Sequence, residues 1–429
     1  MAAGRLPNLR LETADRSQVS FDQICLDDLL SWDHAARQVW AYVEGLDLSE
    51  LYGRVQTTVT SSGRPAIDPA ILMALWLYAT VDGIGSARLL DRKCVSDAAY
   101  RWLAGGVGVN YHTLADFRVA AGPLLDRLLS SSIAGLIASG IVSVEALAVD
   151  GMRVQASANK STFRSGGRLA ELHEAAKQTV ERLRREVEED PGEASRRQRS
   201  RQLAAAEDRA RRVAEAQRAQ AEIEGKRAKE AKEQRRKEGK SGQKLSRGST
   251  SDATSRVMKM GDGSFKPAYN VQLTTTLDKT HVIGVSVTNQ GSDRGLLGPA
   301  LDQAERRYGA QPSRVLADGG YDSRADMERL HAVGITLYCP LPRKKEGKAD
   351  PALPRDDDGP GTAAWRQRMA TPEAQALYRQ RFATERPHAH MRNHGLRQFV
   401  VRGLEKVKAV ALWHVHAFNF LQFKRLGLI

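Results

Sequence analysis

The feature that most constrains the fold is a set of short apolar runs typical of strands, which begins at residue 145. Residues 145–150 are an apolar run that ends in an acid, and residues 269–288 form two β-branched runs around Asp278-Lys279. Further runs lie at 313–321 and 335–342, with amphipathic segments between them. Such runs, bounded by turn residues, predict strands, and the paired runs predict a hairpin. The predicted order is strand, hairpin, helix, strand, helix, strand, helix, which is a mixed α/β fold rather than a regular βαβ repeat.

The first 140 residues have a different pattern, that of short helices with glycine-rich joints. Asp68-Pro69 opens the apolar run 70–79, with proline at the first helical position. The pattern predicts a compact helical bundle; helix-turn-helix modules have it, and so do many other bundles. We therefore divide the chain into an all-helical N-terminal domain, 1–140, and a second domain, 141–429.

One segment of the N-terminal domain could meet an anion. We place Thr113 as a helix N-cap, with Asp116 near the third helical position in a variant of the capping box. His112 beside this N-terminus, and Arg118 one turn further on, could then contact a phosphate. An ordinary helix cap explains the same residues equally well.

A long charged insertion, 165–250, interrupts the second domain. Between Arg168 and Lys240 there are 21 Lys/Arg and 16 Asp/Glu and no aromatic residue. Pro191-Gly192 divides the segment, so we predict two long polar helices in an antiparallel hairpin, followed by a flexible basic linker from Gly239 to Gly248. A solvated insertion explains most of this surface better than an arm that tracks DNA or joins two copies.

The charge distribution points to a polyanionic partner. The net charge is +14, and the pI is near 9.8. Residues 361–429 hold twelve Lys/Arg against three Asp/Glu, so +9 of the excess lies there, together with five of the ten histidines. This concentration favours nucleic acid over a surface that is merely basic and soluble.

The cysteines and the apolar stretches of the sequence indicate the cellular compartment of the protein. The three cysteines are scattered without a CxxC pair, which disfavours a zinc ribbon or a disulfide framework. Residues 1–17 lack the apolar core of a signal peptide, and the stretch Ile133 to Val149 is too interrupted to span a membrane. We read that stretch as a helix end that feeds a core strand, and we expect a cytoplasmic protein with no membrane partner.

Two aspartates carry the first chemical signal. Asp150 in ALAVDGM and Asp318 in RVLADGGYDS each follow an apolar run, and the glycine after each lets substrate approach closely. Phosphodiester cleavage needs charge neutralised at the attacking and leaving oxygens, and two Mg²⁺ ions held by hard oxygen ligands can do this. One aspartate at a strand end is more often a turn cap, but two such strands and a further carboxylate favour a metal site.

The further carboxylate is Glu385. At helical spacing Tyr378, Arg381, Glu385 and Arg392 share one broad face, and a carboxylate among cations and a phenol suits a group that holds a metal beside a phosphate. Pro387 should kink this helix before Arg392.

Histidines of the same region suggest an alternative. His388, His390 and His394 could indicate zinc, since the last two are four residues apart. No cysteine lies nearby in the sequence, and a basic surface that faces phosphate explains these histidines equally well.

These motifs resemble those of bacterial insertion-sequence transposases of the DDE type, in the clan with a Tyr-x2-Arg-x3-Glu-x6-Lys signature. Here the signature residues are Tyr378, Arg381, Glu385 and Arg392, so its last position is arginine rather than lysine. Matching phrases cover nearly the whole chain: GRPAIDP, YHTLADFR, AVDGMRVQASAN, SDATSRVMK, YNVQLTTT, ADGGYDS and HAFNFLQFKRL.

The resemblance implies a fold, an activity and partners. It implies an α/β fold with an RNase H-like mixed-sheet catalytic core in 141–429 and a DNA-binding role for the helical domain 1–140. It implies DNA cleavage and strand transfer at the element's ends, with double-stranded DNA (terminal inverted repeats and target) as partner. A homodimer in the DNA complex and a nucleoid-associated location follow from the same likeness.

The resemblance also implies site residues. Asp150, Asp318 and Glu385 would be the catalytic, metal-binding triad for two Mg²⁺ ions, with Mn²⁺ able to substitute. Tyr378, Arg381 and Arg392 would hold the phosphate backbone, which positions DNA without reading its sequence. Related transposases use an aromatic residue from the region of Trp365, which we place in a polar loop, to stack on a flipped base. An anchoring role for this tryptophan is the stronger alternative.

Three rival functions remain at this stage. A domesticated DNA-binding protein would not need all three carboxylates, and a structure-selective nuclease on the same core would not need the helical domain for end recognition. A metal-dependent phosphatase for small molecules would not need the +9 excess of the C-terminal segment. A strong salt dependence of duplex binding would separate the first two from the third.

Overall fold

The computed structural model describes residues 25–55, 66–189, 193–238, 246–344, 346 and 349–429. The N-terminal segment 1–17, the predicted Pro191-Gly192 turn and residues 239–245 of the predicted linker lie outside these ranges. The described helices are α1 Ala35–Glu44, α2 Ser49–Tyr52, α3 Pro69–Val81, α4 Ala87–Ser96, α5 Ala98–Ala104, α6 Tyr111–Ala120, α7 Gly122–Ala138, α8 Gly166–Glu188, α9 Glu193–Glu238, α10 Leu297–Tyr308, α11 Arg324–Ala332, α12 Pro360–Met369, α13 Pro372–Tyr378, α14 Glu385–Asn393 and α15 Leu404–Arg425.

The strands form one mixed six-stranded sheet and one small two-stranded sheet. The strands are β1 Ala146–Gln155, β2 Phe163–Arg164, β3 Gly248–Ser249, β4 Arg256–Lys259, β5 Phe265–Thr276, β6 Val282–Thr288, β7 Arg314–Ala317 and β8 Thr336–Tyr338. In the large sheet the order is β4-β5-β1-β7-β8, and β6 also pairs with β5. β1 is antiparallel to β5 and parallel to β7, which is parallel to β8. The predicted mixed α/β class, the hairpin and the order of elements after it are confirmed.

The first core strand is longer than predicted. β1 does not end at Asp150 but continues to Gln155, because β5 pairs with it as far as Gln155↔Ala268. Pairing with β7 on the other side stops at Val149↔Ala317. Asp150 therefore lies in the middle of its strand, at the point where one neighbouring strand ends.

The apolar sequence of α3 and α15 places both helices inside the core. Asp68 caps α3 by accepting a hydrogen bond from Ala70 N, as the Asp-Pro signal predicts. The C-terminal helix, predicted to carry an apolar stripe, is buried on all sides along most of its length. It packs against helices α3, α6, α7 and α14 and against strand β6.

Polar contacts fix α15 in this position. The indole Nε1 of Trp413 donates to the carbonyl of Arg118 at 2.9 Å, and Asn419 bonds both the N–H and the carbonyl of Val282 in β6, at 3.0 and 2.7 Å. One hydrophobic cluster runs through the helical half and the sheet. The helices before β1 therefore share their core with the last helix of the chain.

The charged insertion forms the predicted pair of long helices. α8 and α9 pack along each other, and Arg184 pairs with Glu207 at 2.8 Å, as antiparallel helices require. Apolar side chains of α8 at Leu169 and Leu183 are buried with Val213 of α9. At the base of the hairpin, β2 pairs with β3, so Gly248 at the end of the predicted linker is part of a strand. Over the described ranges, no helix is both long enough and apolar enough to cross a membrane.

Candidate active site

The two predicted aspartates meet at one end of the central strand pair. Asp150 follows Val149 of β1, and Asp318 follows Ala317 of β7, the last two residues that pair between these parallel strands. The Oδ1 atom of Asp150 accepts a hydrogen bond from Gly151 N at 2.8 Å, and Oδ1 of Asp318 accepts one from Gly320 N at 2.7 Å. The fold thus places two carboxylates together although they are 168 positions apart in the sequence.

The segment that carries the predicted signature docks on Asp150. The guanidinium of Arg381 donates to Asp150 Oδ2 at 3.0 Å, and the Thr384 hydroxyl lies 3.4 Å from the same oxygen. His388 Nδ1 lies 3.7 Å from it. The segment before and after Glu385 therefore closes over the carboxylate of β1.

Burial dominates the electrostatics of these carboxylates. Burial raises the pKa of Asp150, and the Arg381 guanidinium partly offsets this. Burial also raises the pKa of Asp318, with smaller contributions in the same direction from the charges of Asp150 and Asp293. Burial, with Arg392 and Arg381 nearby, lowers the pKa of His388 to about 3, so this imidazole is neutral at pH 7. The site holds acidic groups whose ionised forms favour a cation.

Glu385 is the first residue of α14 and is exposed. Within the part of the chain that the structure describes, Glu385 itself makes no side-chain contact to Asp150. The contacts come from Arg381, Thr384 and His388, which are close to Glu385 in the sequence. The structure brings together Asp150, Asp318 and Arg381, with Glu385 on the segment that covers them.

The predicted single helical face is wrong in detail. α13 ends at Tyr378, residues Arg379–Thr384 form a 3₁₀ helix, and α14 begins at Glu385. The tighter 3₁₀ turn changes the angular spacing, so the four signature residues do not follow one α-helical face. The predicted kink at Pro387 is also wrong, because this residue lies in the first turn of α14, where an N–H has no partner within the helix.

The two other signature side chains differ in exposure. The Arg381 guanidinium lies 5.8 Å from the ring centre of half-buried Tyr378, whereas Arg392 is exposed. Arg379 and Arg386, also exposed, add positive charge on the same segment.

A third aspartate belongs to the same place and was missed from the sequence. Asp293 precedes α10, and its Oδ1 accepts hydrogen bonds from Asn270 Nδ2 at 2.6 Å and from Gln272 Nε2 at 2.8 Å. The negative charge of Asp293 raises the pKa of both Asp150 and Asp318. The sequence signal was weak, because Asp293 lies in the loop NQGSDRG and follows no strand directly.

The donor set fits a hard divalent cation better than zinc. Carboxylate oxygens of Asp150 and Asp318 are the ligands that Mg²⁺ and Mn²⁺ prefer. In the described ranges, no group of three or more His, Cys, Asp or Glu side chains is arranged to hold an ion, and this applies to Asp150, Asp318 and Glu385 as well as to the histidines of the zinc alternative. The rings of His390 and His394 stack on each other at 4.0 Å instead.

The predicted anion-binding residues of the helical half are only partly accessible. The N-cap of α6 is Asn110 and not Thr113, because the Asn110 side chain accepts from Thr113 N at 3.0 Å and the helix begins three residues earlier than predicted. Arg118 is buried, donates to the carbonyl of Gly85 and lies 4.7 Å over the ring of Trp76. This arginine cannot reach a phosphate, whereas His112 is exposed.

Trp365 is an internal residue and not part of a polar loop. It lies in α12, is 3% exposed, and donates from Nε1 to the carbonyl of Cys339 at 2.8 Å. A ring in this position would have to leave the core to stack on a base. The geometry fits the anchoring alternative.

Two family models match the chain. One, described as a transposase DDE domain, matches residues 242–420, and the other, described as a transposase domain (DUF772), matches residues 24–120. No curated protein and no solved structure matches. The first match includes Asp293, Asp318 and Glu385, and the second covers the helices before α7. Both matches are to transposase domains, and together they support an insertion-sequence transposase of the DDE type.

Proposed function

We propose that this transposase cuts and joins DNA at the ends of an insertion sequence by two-metal-ion phosphoryl transfer, with Asp150, Asp318 and Glu385 as metal-binding residues. The observation that carries the proposal is the meeting of Asp150 and Asp318 under the segment that bears Glu385. The strand order β6-β5-β1-β7-β8, with an antiparallel first half and a parallel second half, supports an RNase H-like core.

The carboxylates would bind the cations, Mg²⁺ or Mn²⁺. When bound, such ions neutralise charge on the attacking and leaving oxygens of a phosphodiester. The half-buried position of Asp150 and Asp318 keeps water from screening their charge, which strengthens their attraction for a cation. Gly151 and Gly320 carry no side chain, and this lets the carboxylate of Asp293 lie close to both aspartates.

Arg381 would hold the substrate phosphate next to the carboxylates. Its guanidinium has five N–H donors in a planar fork, and its bond to Asp150 Oδ2 uses one edge. Tyr378 packs beside it, and exposed Arg392 continues the positive surface. These residues would fix the DNA backbone in the site without reading its sequence.

The remaining assignments follow the same proposal. The domain 1–140 would recognise the terminal inverted repeats, with exposed His112 and neighbouring Thr113 as DNA contacts, and 141–429 would be the catalytic domain. The protein would act as a homodimer on its DNA complex. The helical insertion within 165–250 would be a solvated element outside the catalytic chemistry.

A cleavage assay tests the proposed function. The purified chain is incubated with end-labelled duplex that spans the junction between the element's end and flanking DNA, with Mg²⁺ or with EDTA. We expect breaks at one position of the junction that leave a 3′-OH, and none in EDTA or on shuffled duplex. Metal-independent breaks, or breaks spread evenly over both duplexes, would refute the proposal.

A further inference from the structure

The loop before α10 presents Asp293 to the two catalytic aspartates. Its side chain is 12% exposed. A Cβ atom built on Gly320 would lie 2.9 Å from Asp318 Oδ1 and 3.3 Å from Asp293 Oδ2, so these two oxygens flank the same small space. A Cβ on Gly151, the residue after Asp150, would lie 2.7 Å from Asp293 Oδ1. Only glycine at 151 allows Asp293 to approach β1 this closely.

Neutral groups hold Asp293 in place. Its Oδ1 accepts from the amides of Asn270 and Gln272, which are both buried in β5. The Tyr321 hydroxyl donates to Gln272 Oε1, and Tyr321 lies in the short turn directly after Asp318. Amide donors fix the orientation of a carboxylate without cancelling its charge.

The cation nearest to Asp293 compensates it only in part. Arg153 approaches Asp293 Oδ2 at 3.4 Å and also donates to the carbonyl of Gly291 at 3.0 Å. Over the described residues, the ion pairs of the three aspartates 150, 293 and 318 with arginine involve only Arg153 and Arg381. The group therefore keeps an excess negative charge, which increases if Arg381 turns to a phosphate.

We propose that Asp293 is a positioning residue of the active site whose negative charge strengthens the binding of the divalent cation at Asp150 and Asp318. The proposal rests on the function proposed above. The Oδ2 atom of Asp293 lies on the side of Asp318, while its Oδ1 atom accepts the hydrogen bonds from β5. Asp293 is adjacent to neither Asp150 nor Asp318 in the sequence. The packing of the loop before α10 against β5 brings its side chain next to both.

Two substitutions that change the local charge in opposite directions test the role of the negative charge of Asp293. Asp293→Asn keeps an oxygen for the two amide donors and removes the charge, so the half-saturating Mg²⁺ concentration for cleavage should rise roughly tenfold. Arg153→Gln removes the compensating cation, and should lower the same concentration. Asp302→Asn is the matched control, since Asp302 lies in α10 and pairs with Arg329 at the surface.

A measurement of thermal stability without DNA distinguishes a failure of this inference from a failure of the proposed function. The rise in melting temperature caused by Mg²⁺ without DNA should shrink in Asp293→Asn, grow in Arg153→Gln and stay unchanged in Asp302→Asn. Equal Mg²⁺ dependence in Asp293→Asn and wild type overturns the inference, even if the variant melts lower. If Asp293→Asn does not fold, an unchanged or weaker response of Arg153→Gln to Mg²⁺ overturns it. Loss of junction-specific cleavage in the wild type would instead count against the proposed function.

Discussion

Two like charges buried side by side destabilise a folded chain unless a cation compensates them. Asp150 has Arg381 as such a partner, whereas Asp318 accepts its hydrogen bond from the neutral Gly320 N–H. Ionised Asp318 therefore costs folding free energy in the absence of metal. Sites that bind a cation commonly carry this cost, because the bound charge later offsets it.

We expect Asp318→Asn to stabilise the metal-free protein near neutral pH by at most about 1 kcal/mol, or a few degrees in melting temperature, because water screens the partly exposed carboxylate. Burial raises the folded pKa of Asp318 above 3.8, so the folded state binds the proton more tightly than the unfolded state. The free-energy cost of ionising Asp318 is absent below the pKa of the unfolded state. It grows as the pH rises through the higher pKa of the folded state. The stability difference between variant and wild type should thus be larger at pH 7 than at pH 4 in thermal scans, and a lower melting temperature for the variant at pH 7 would contradict it.

The anchoring role of Trp365 predicts a different result. Trp365→Ala should lower the free energy of unfolding by about 3–5 kcal/mol, because it leaves a cavity in the core. All cleavage steps should weaken together, so the ratio of nicked to fully cleaved product should match that of wild type. Trp365→Phe, which loses the bond to Cys339 but keeps a ring, is the milder control and should lose about 1 kcal/mol. Full stability with a specific loss of the second strand break would restore the base-stacking interpretation.

The residue scale also shows what a sequence can and cannot reveal. That Asp150 and Asp318 lie close together could be predicted, because an acid at the end of an apolar run is a local pattern. Arg118 was misjudged because a long side chain can be buried over Trp76 in a segment whose pattern looks exposed. The position of Asp293 was missed because it depends on the approach of a loop to Gly151 and Gly320, which is a property of the packing.

Among the elements, those with strong periodicity or a clear cap were predicted well. The hairpin β5–β6, the helix after Asp68-Pro69 and the two long helices of the insertion are confirmed. Element ends were predicted less well. β1 runs past Asp150 because its register with β5 extends to Gln155, and α14 is not kinked because Pro387 falls in its first turn.

The helical hairpin formed by α8 and α9 gives a prediction at the element scale. Its two helices bury apolar side chains mainly against each other, and its outer surface carries exposed ion pairs, which contribute little to stability. Replacing residues 180–211 with a short glycine-rich linker should keep the register of the remaining hairpin. We expect the rate of Mg²⁺-dependent cleavage of a junction duplex to stay within about threefold of wild type, as surface changes usually have small effects.

The same variant should keep the melting temperature of the sheet, measured by circular dichroism. A full-length chain with Arg184→Gln, which breaks the pair to Glu207 but keeps the hairpin, is the control. A loss of cleavage in the shortened chain alone would show that the hairpin takes part in the DNA complex.

For the whole molecule, α15 joins the helical half to the sheet. Trp413 contacts both Trp76, at a ring separation of 6.5 Å, and the carbonyl of Arg118, while Asn419 holds β6. Ion pairs of Asp126 in α7 with Arg307 and with Lys408 add further links. This organisation was not foreseen, since a helix at residues 404–425 gives no sequence signal that it completes a core that begins at residue 30.

The shared core predicts that the helical half cannot fold stably alone. Residues 1–140 expressed without α15 would expose the apolar surface around Trp76, so we expect aggregation or a transition without cooperativity. A fusion that adds residues 404–429 through a flexible linker should restore a cooperative thermal transition. The same fusion with Trp413→Ser is the control and should restore it poorly. Cooperative unfolding of residues 1–140 alone would contradict the shared core.

The central claim, catalysis by Asp150, Asp318 and Glu385, is tested most directly by replacing each carboxylate with its amide. Asp150→Asn, Asp318→Asn and Glu385→Gln each remove one metal-ligand charge and little volume. Cleavage of a labelled junction duplex in Mg²⁺ and duplex affinity at fixed salt are measured for each, with Glu373→Gln on exposed α13 as control. We predict a loss of cleavage of at least about a thousandfold for all three, with duplex affinity within about threefold of wild type. Undiminished cleavage by any one of them would show that this carboxylate is not part of the catalytic site.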